Sequence, residues 1–447
     1  MKVPTSLGGF LAIALDSSVL AQQRGILIPE VHPLMRSQVC KKDPTTRVVQ
    51  CVTEASSLVL EADQRPLTAV GTTASCYSNG QWNASVCSTS KACAEKCALE
   101  GVDYAKDHGV TATGDAVTLE LSHVQGMSPR LYLLDASGTK YKQFQLLNQE
   151  FTFDVDVSGL PCGTNGALYF VKMDADGGTS RAPGNAAGAA YGMAYCDGQC
   201  HKGRFINGEA NLNQTYATCC SEMDIWEANS RATSFATHAC ATDGMQVCST
   251  PEACGSTEAT QYTGLCDKAG CSFKPYRMGA KTFFGRGNDF AMDTTRPFTV
   301  ITQFITRDNT STGELVEIRR LYKQDNRVVT NPESTWPALT GIHSLTEPMC
   351  SSYKTFFGEH AYQVGRLAQL GKQMTGGMTL TFSVWADYTK RMVWLDSYEK
   401  GKDPTVPGVV RGPCDPDGGD PASVFANYPN AGVTFMNIRS GDFGSTY

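Results

Sequence analysis

The sequence predicts an all-β protein built mainly from antiparallel strands, and three features support this class. Short segments of alternating apolar and polar residues outnumber any segment with the period of a helix. The 43 glycines and 20 prolines interrupt the chain at short intervals, as turns and long irregular loops require. The chain has 447 residues, 41% of them hydrophobic, which is enough for one large β-sandwich or for two or three smaller domains.

Alternation places individual strands. In residues 151–157 the odd positions are apolar and the even ones polar, which is typical of a strand with one buried face, and residues 117–122 repeat the pattern. In residues 378–385 the even positions are apolar, so Trp385 falls on the polar face. The helix candidates are short, at residues 91–99 and 367–372.

The N-terminus predicts export. Lys2 precedes an apolar run at residues 7–15, and small residues at positions 19 and 21 fit a signal-peptidase site, so we expect a signal peptide at residues 1–21. The alternative is a buried N-terminal strand. No later apolar run reaches the length of a transmembrane helix, and we expect a secreted, extracellular protein.

Eighteen cysteines follow the predicted signal peptide, an even number that allows nine disulfides in an exported chain. Close pairs such as Cys87 and Cys93 would also fit zinc, but the spacings vary and only 7 histidines accompany them, so we expect no metal. The glycosylation sequons, which also occur by chance, begin at Asn83, Asn213 and Asn309.

Charge excludes two classes of partner. The formal net charge is -6, charged residues make up 18% of the chain, and no run of Lys or Arg occurs. Such a surface attracts nucleic acids and anionic membranes weakly. We therefore expect neither as a partner, and a neutral substrate instead.

Three carboxylates, Glu222, Asp224 and Glu227, fall within six positions of an apolar, aromatic segment. Paired carboxyl groups are the groups that cleave glycosidic bonds. If the segment is a strand, alternation sends Glu222, Asp224 and Trp226 to one face and the residues between them into the core. The alternative is a solvated acidic strand edge, which the apolar residues of the segment disfavour.

The step from Glu222 to Glu227 is odd, so perfect alternation would put these carboxyl groups on opposite faces. A β-bulge between Asp224 and Glu227 would add one residue and turn Glu227 to the face of Glu222, and bulges are common beside active sites. The sequence therefore predicts a bulge near Ile225 or Trp226.

Residues 222–229, which follow Cys219 and Cys220, resemble the signature of glycoside hydrolase family 7, the fungal cellulases with a retaining mechanism. The resemblance extends through nearly the whole chain, at residues 128–134, 160–170, 173–178, 195–200, 237–240 and 444–447. It implies a jelly-roll β-sandwich of two curved antiparallel sheets, concanavalin A-like, with a cleft, long disulfide-tied loops and a few short helices. Because no linker or repeat is visible, we expect one monomeric catalytic domain at residues 22–447, without a carbohydrate-binding module.

The resemblance also implies roles for four residues. Glu222 would be the nucleophile, Glu227 the general acid and then base, and Asp224 the neighbour that shares a proton with Glu222. His238 would lie within hydrogen-bond reach of the acid/base, or serve a structural role. Both carboxyl groups come from the protein, so we expect no metal ion or organic cofactor.

Substrate-binding positions and disulfides follow from the same resemblance. Trp385 and Trp394 match the platforms on which glucose rings stack. The remaining matches to cleft positions, for which a structural role is the alternative, are Tyr169, Asp197, Gln199, Arg130, Arg277 and Arg411. The family's pairing implies the bonds Cys196–Cys220, Cys200–Cys219 and Cys162–Cys414.

Loop lengths divide the family into cellobiohydrolases, whose long loops roof a tunnel, and endoglucanases, whose shorter loops leave a groove. Only seven residues separate Asn211 from Cys219, where the tunnel formers carry a much longer insertion. Gln64 and Pro66 are the nearest counterparts of the tunnel-entrance tryptophans. The residues that replace charged groups of the product side are Ala269, Ser272 and Gln261.

Those features favour the endoglucanases, but two others favour the cellobiohydrolases. Residues 240–266 and 394–414 form long loops, and the second loop retains Arg411. We predict a partly covered groove and an endoglucanase acting on internal bonds of cellulose or other β-1,4-glucans. The alternatives are a reducing-end cellobiohydrolase that releases cellobiose processively and a non-catalytic sugar-binding sandwich.

Overall fold

Two large sheets packed face to face form the protein, in a computed structural model that describes residues 22–121, 128–363 and 365–447. The all-β sandwich prediction is confirmed. The predicted signal peptide lies outside the described residues. No described helix is both long and apolar enough to cross a membrane.

The first sheet carries the three clustered carboxylates, and all its strand pairs are antiparallel. Alternation fills its inner side with apolar side chains. In spatial order its strands are Cys271–Phe273, Thr233–His238, Glu222–Ala228, Thr164–Val171, Met378–Ala386, Arg130–Leu134 and Ser57–Leu60, with Gln143–Phe144 beside Met378–Ala386.

The second sheet backs the first. In order its strands are Arg327–Thr330, Leu315–Gln324, Phe298–Thr306, Gln149–Asp156, Gly432–Gly441, Ala116–Glu120 and Val110–Ala112. Ser37–Lys42 pairs in parallel with Gly432–Gly441 and antiparallel with Val49–Glu54. The three strands predicted from alternation therefore form, within one or two residues at each end.

Smaller elements lie outside the two sheets. The short strands are Gln23–Arg24, Leu67–Ala69, Tyr77–Ser78, Gln81–Trp82, Cys97–Leu99, Phe205–Ile206, Glu209–Ala210, Ala217–Cys219, Gln246–Cys248, Phe284–Gly285 and Met292–Asp293. The α-helices are Ser90–Lys96, Tyr104–His108, Glu347–Phe356, Arg366–Met374, Val393–Asp396 and Pro421–Asn427, and the 3-10 helices are Ala62–Gln64, Ala189–Tyr191 and Pro337–Leu339. Both predicted helices form, but residues 97–99 of the first one are a strand.

The core lies between the sheets and is rich in aromatic rings. Phe153 of the second sheet meets Trp226 of the first with ring centroids 6.0 Å apart, and Phe435 meets Phe382 at 5.7 Å. Each buried aromatic side chain contributes on the order of 2 to 3 kcal/mol relative to exposure. This packing holds the first sheet in place, so the side chains on its outer face can keep fixed positions.

All eighteen cysteines are described, and all are paired. Cys196–Cys220 and Cys200–Cys219 clamp a tight turn against the residues preceding Glu222, and Cys162–Cys414 ties down the end of a long loop, so the three implied bonds are confirmed. The others are Cys40–Cys51, Cys76–Cys97, Cys87–Cys93, Cys240–Cys266, Cys248–Cys254 and Cys271–Cys350.

Candidate active site

The strand Glu222–Ala228 carries the predicted bulge. Asp224 lies opposite Ala236, but Glu227 lies opposite Ser234, so one residue is inserted between these pairs. The pairing with the strand on the other side shifts at the same place. The inserted residue brings Glu227 to the face of Glu222 and Asp224.

The bulge also corrects the position predicted for Trp226. Both Ile225 and Trp226 are fully buried in the core, where Trp226 packs against Phe298 at 5.8 Å. The prediction that Trp226 shares the face of Glu222 was wrong, because the inserted residue resets the alternation before position 226. Arg320, fully buried, crosses from the second sheet and donates to the carbonyl of Ile225.

Glu222 is held by the clamped turn and by Asp224. The Gly198 N–H donates to Glu222 Oε2 at 2.9 Å, and Asp224 shares a hydrogen bond with Glu222. A side chain at position 198 would collide with His238, whose Cβ lies 2.5 Å from the place of a Cβ. Burial, then the charges of Asp224 and Asp197, raises the pKa of Glu222. The pair therefore favours holding one proton between its two carboxyl groups.

Glu227 is oriented from the neighbouring strand. Asn165 Nδ2 donates to Glu227 Oε1 at 3.2 Å, while Asn165 Oδ1 accepts from the Ala228 N–H at 3.0 Å. Burial and then the Asp224 charge raise the pKa of Glu227 to about 8, against smaller opposite effects of Lys274 and His238. Glu227 is therefore protonated in weak acid and can donate its proton.

His238 contacts Asp224 rather than Glu227. Its Nε2 lies 3.1 Å from Asp224 Oδ2, and its Nδ1 lies 2.9 Å from the Asp267 carbonyl. The expectation of a hydrogen bond to the acid/base was wrong, because His238 stands opposite Glu222 across the strand pair. Burial is the largest single influence and lowers the pKa of His238, but the hydrogen bond and charge of Asp224, together with the carbonyl and charge of Asp267, outweigh it and raise the pKa to about 9.

Two tryptophans form a pair at the same face. The rings of Trp385 and Trp394 are half-buried and stacked, with centroids 6.0 Å apart and planes 25° apart. Trp394 Nε1 donates to Asp387 Oδ2 at 3.2 Å, and Lys274 Nζ donates to the Trp394 carbonyl at 2.5 Å while lying 5.0 Å from its ring centroid. Such a pair offers flat apolar surface to a sugar ring.

The chain matches the family model described as glycosyl hydrolase family 7 over residues 24–447. The chain belongs to glycoside hydrolase family 7. Its structure also matches three solved chains, and each match covers 95% of this chain and 100% of the solved chain. These are a cellobiohydrolase from Daphnia pulex (39% identity, TM-score 0.90), one from Melanocarpus albomyces (36%, 0.86) and an endocellulase from Humicola insolens (33%, 0.80). The protein is thus a cellulase that hydrolyses β-1,4-glucans.

Four of the cleft residues expected for a family 7 cellulase gather on the Glu222 side. The Tyr169 hydroxyl lies 3.0 Å from that of Tyr195, and the guanidinium of Arg130 lies 4.1 Å from the Tyr195 ring centroid. Asp197 is buried and its charge acts on Glu222. Gln199 is exposed and donates to the Lys268 carbonyl at 2.9 Å, so it reaches the residues after the loop 240–266.

The two remaining arginines lie on the Glu227 side. Arg277 is buried, donates to the Tyr353 hydroxyl and the Gly408 carbonyl, both at 2.8 Å, and pairs with Glu359 at 2.6 Å. It therefore acts on the loops around the cleft. Arg411 is half-buried, and its guanidinium makes a long hydrogen bond of 3.4 Å to the carbonyl of Val409.

Sequence reasoning missed three residues of the site. Asn165 lies inside residues 160–170, which resemble the family, and that resemblance could have marked it. Gly198 could have been found because a glycine between two paired half-cystines indicates close backbone approach. Lys274 gave no signal, since one lysine in a loop is normally exposed.

The described residues include one cluster with metal-ligand chemistry that contains no disulfide sulfur, formed by Glu61, Asp63 and His201. Each carboxylate already has partners. Glu61 pairs with Arg130 at 2.8 Å, and Asp63 accepts from His201 and from the backbone N–H of Arg204, both at 3.0 Å. The cluster is a network of ion pairs and hydrogen bonds beside Arg130.

Proposed function

We propose that this cellulase is a retaining endo-β-1,4-glucanase that cleaves internal bonds of cellulose and related β-glucans. The observation that carries the proposal is the bulged strand, which presents Glu222, Asp224 and Glu227 on one face. Two carboxyl groups, one to attack and one to donate a proton, are what retaining hydrolysis requires.

In the first step Glu222 attacks the anomeric carbon, the glycosidic C–O bond breaks, and Glu227 gives its proton to the leaving oxygen. In the second step Glu227 takes a proton from water, the water attacks the same carbon, and the bond to Glu222 breaks. Attack requires the proton of the Glu222 and Asp224 pair to sit on Asp224. The His238 imidazolium beside Asp224 favours the negative charge on Asp224 in the free enzyme, so the proton moves from Glu222 to Asp224 as Glu222 attacks.

The loops on the side of the site away from the leaving group support cleavage of internal bonds. The hairpin of Phe205–Ile206 and Glu209–Ala210 is followed closely by Ala217–Cys219, without the long insertion of tunnel formers. Gln64 Nε2 donates to the Ser128 carbonyl at 2.8 Å and Gln64 Oε1 accepts from a backbone N–H at 3.1 Å. If Gln64 is the counterpart of an entrance tryptophan, as the resemblance implies, a polar, backbone-bonded side chain stands there and chain threading would lack that platform.

The second candidate is a processive cellobiohydrolase, favoured by the higher identity and TM-score of the cellobiohydrolase structures and by the loops on the Glu227 side. Gln363 Nε2 donates to the Tyr262 carbonyl at 2.9 Å, and the rings of Tyr262 and His360 lie 3.9 Å apart. These contacts tie the loop 240–266 to residues 360–363. Arg277 and Lys274 tie down the loop 394–414.

Viscosity and reducing ends, followed together on hydroxyethyl cellulose, separate the two candidates. Internal cleavage lowers viscosity well before many reducing ends appear. Cellobiose as the main early product with little viscosity loss would refute the endo proposal and support the cellobiohydrolase. If wild type and Glu222→Gln are equally inactive on every β-glucan, the chain is a non-catalytic sugar-binding sandwich.

We also propose that the protein is exported, that residues 1–21 are removed and that the mature chain is one monomeric catalytic domain. The nine disulfides support export, because such bonds persist in oxidising compartments. N-terminal sequencing of the secreted protein should begin at Gln22, and its mass by light scattering should be that of one chain.

A further inference from the structure

Three cations converge on one long loop of the cleft, residues 394–414, and are called here the cationic cluster: Lys274, Arg277 and Arg411. Lys274 and Arg277 donate to backbone carbonyls of that loop at 2.5 and 2.8 Å. Arg411 lies in the loop itself. Two cations from outside the loop therefore fix the segment that supplies the third.

The cluster lies beside the proton donor. The Lys274 ammonium is close enough to Glu227 for its charge to lower the pKa of that carboxyl, and it also lies against Trp394. In the proposed mechanism Glu227 protonates the leaving oxygen. The cationic cluster therefore belongs to the leaving-group side of the cleft.

Acidic partners are too few for these cations. Arg277 pairs with Glu359, which also faces the buried Lys354. Glu399, the other acid near Arg411, is exposed to solvent. Lys274 faces Glu359 and Glu227, and Glu227 is protonated in weak acid.

Some N–H donors of the cationic cluster have no hydrogen-bond acceptor within the described residues. An ammonium has three N–H donors, and within the described residues Lys274 makes one hydrogen bond, to the Trp394 carbonyl. The guanidinium of Arg411 makes only the 3.4 Å bond to Val409 within the same residues. Both cations can therefore bond to a further acceptor.

Electrostatics favours an anion at this place. Burial and then the charge of Arg411 lower the pKa of Lys274 to about 7, and burial and then the charge of Arg277 lower the pKa of Arg411. Cations that destabilise one another in a partly dry site are stabilised by a carboxylate that enters between them. A neutral sugar cannot supply that charge.

We propose that the cationic cluster binds the carboxylate of an acidic sugar on the leaving-group side, so that the cleft accepts β-1,4-glucan ends carrying an aldonate or a uronate. The inference rests on the proposed function for the direction of the cleft. In both cases the bound group is a sugar carboxylate. An aldonate comes from an oxidised chain end, and a uronate comes from a glucuronic acid unit.

Binding to the wild-type protein tests the proposal by titration calorimetry with cellobionate and cellobiitol. Both have an open-chain terminal unit, so their difference isolates the carboxylate. We expect cellobionate to bind about tenfold more tightly at low salt, because charge-assisted hydrogen bonds are stronger than neutral ones. The preference should shrink as salt screens the charges. The second arm compares a disaccharide ending in glucuronic acid with cellobiose. If the protein prefers this disaccharide to cellobiose but does not prefer cellobionate to cellobiitol, the carboxylate that the site binds is that of a uronate.

Variants connect the preference to the cluster. Arg411→Met and Lys274→Met should each abolish most of it. Lys172→Met is the matched control, because Lys172 is also partly buried and donates to two carbonyls, at 2.7 and 3.1 Å, away from the cluster. Equal binding of the acidic and neutral ligands by the wild-type protein, or an unchanged preference in Arg411→Met, would overturn the inference. Calorimetry needs no turnover, so loss of the proposed activity would not imitate either result.

Discussion

The carboxylate centre and the cationic cluster lie side by side but are built differently. The carboxylates stand on a strand, and their partners come from neighbouring strands or from a turn fixed by two disulfides. The cations are joined through carbonyls of a long loop. Bond-breaking groups need fixed distances, which strands supply, whereas a binding site can depend on a loop that is tied at a few points.

The largest effect should come from the nucleophile. Glu222→Gln removes the attacking oxygen, and we expect kcat to fall by about 10⁴-fold or more. Glu120→Gln, an exposed glutamate of the second sheet, is the control and should keep wild-type rates. In Glu222→Ala, azide should restore turnover of an aryl cellobioside and yield the α-glycosyl azide; a β-azide would contradict the retaining role of Glu222.

Next in size is the proton donor. Glu227→Gln should lower kcat by roughly 10²- to 10⁴-fold on cellulose, and far less on substrates whose leaving group needs no proton. Wild-type kcat/KM should fall as pH rises through about 8, because the pKa of Glu227 is raised to about 8 and the active form is protonated. That limb should be missing from the variant. Its persistence on an activated substrate would assign it to another group, such as His238 with its pKa of about 9.

These two regions also show which parts of the protein the sequence predicts. Alternation gave the strands, because one face of each is buried, and the odd step between Glu222 and Glu227 required the bulge. The same alternation put Trp226 on the wrong face. It shows that one residue must be inserted before Glu227, but not whether the insertion comes before or after Trp226. Lys274 and Arg411 come together through loop contacts between residues over a hundred positions apart, which no local period records.

Stability should respond to the carboxylate centre by a smaller amount. The folded-state pKa of Glu227, about 8, lies above its ordinary value of 4.5, so its contribution to stability is complete below about pH 4.5 and is lost as pH rises through about 8. Glu227→Gln carries no charge to bury, and we expect it to gain on the order of 1 to 3 kcal/mol over wild type between about pH 5 and pH 9. Thermal unfolding across this range measures the difference. A constant difference would show that burial does not raise this pKa.

The smallest effect on neutral substrates should follow from Arg411→Met. Within the described residues the guanidinium of Arg411 makes one long hydrogen bond and stands among cations, so its removal also relieves repulsion of Lys274. We expect kcat on neutral cello-oligosaccharides to change by less than about twofold, since the fixed carboxylate centre is untouched. Steady-state kinetics on cellotetraose measures this. A large fall in kcat would show that the loop 394–414 positions Glu227, and the separation between a rigid reacting centre and a loop-built binding cluster would fail.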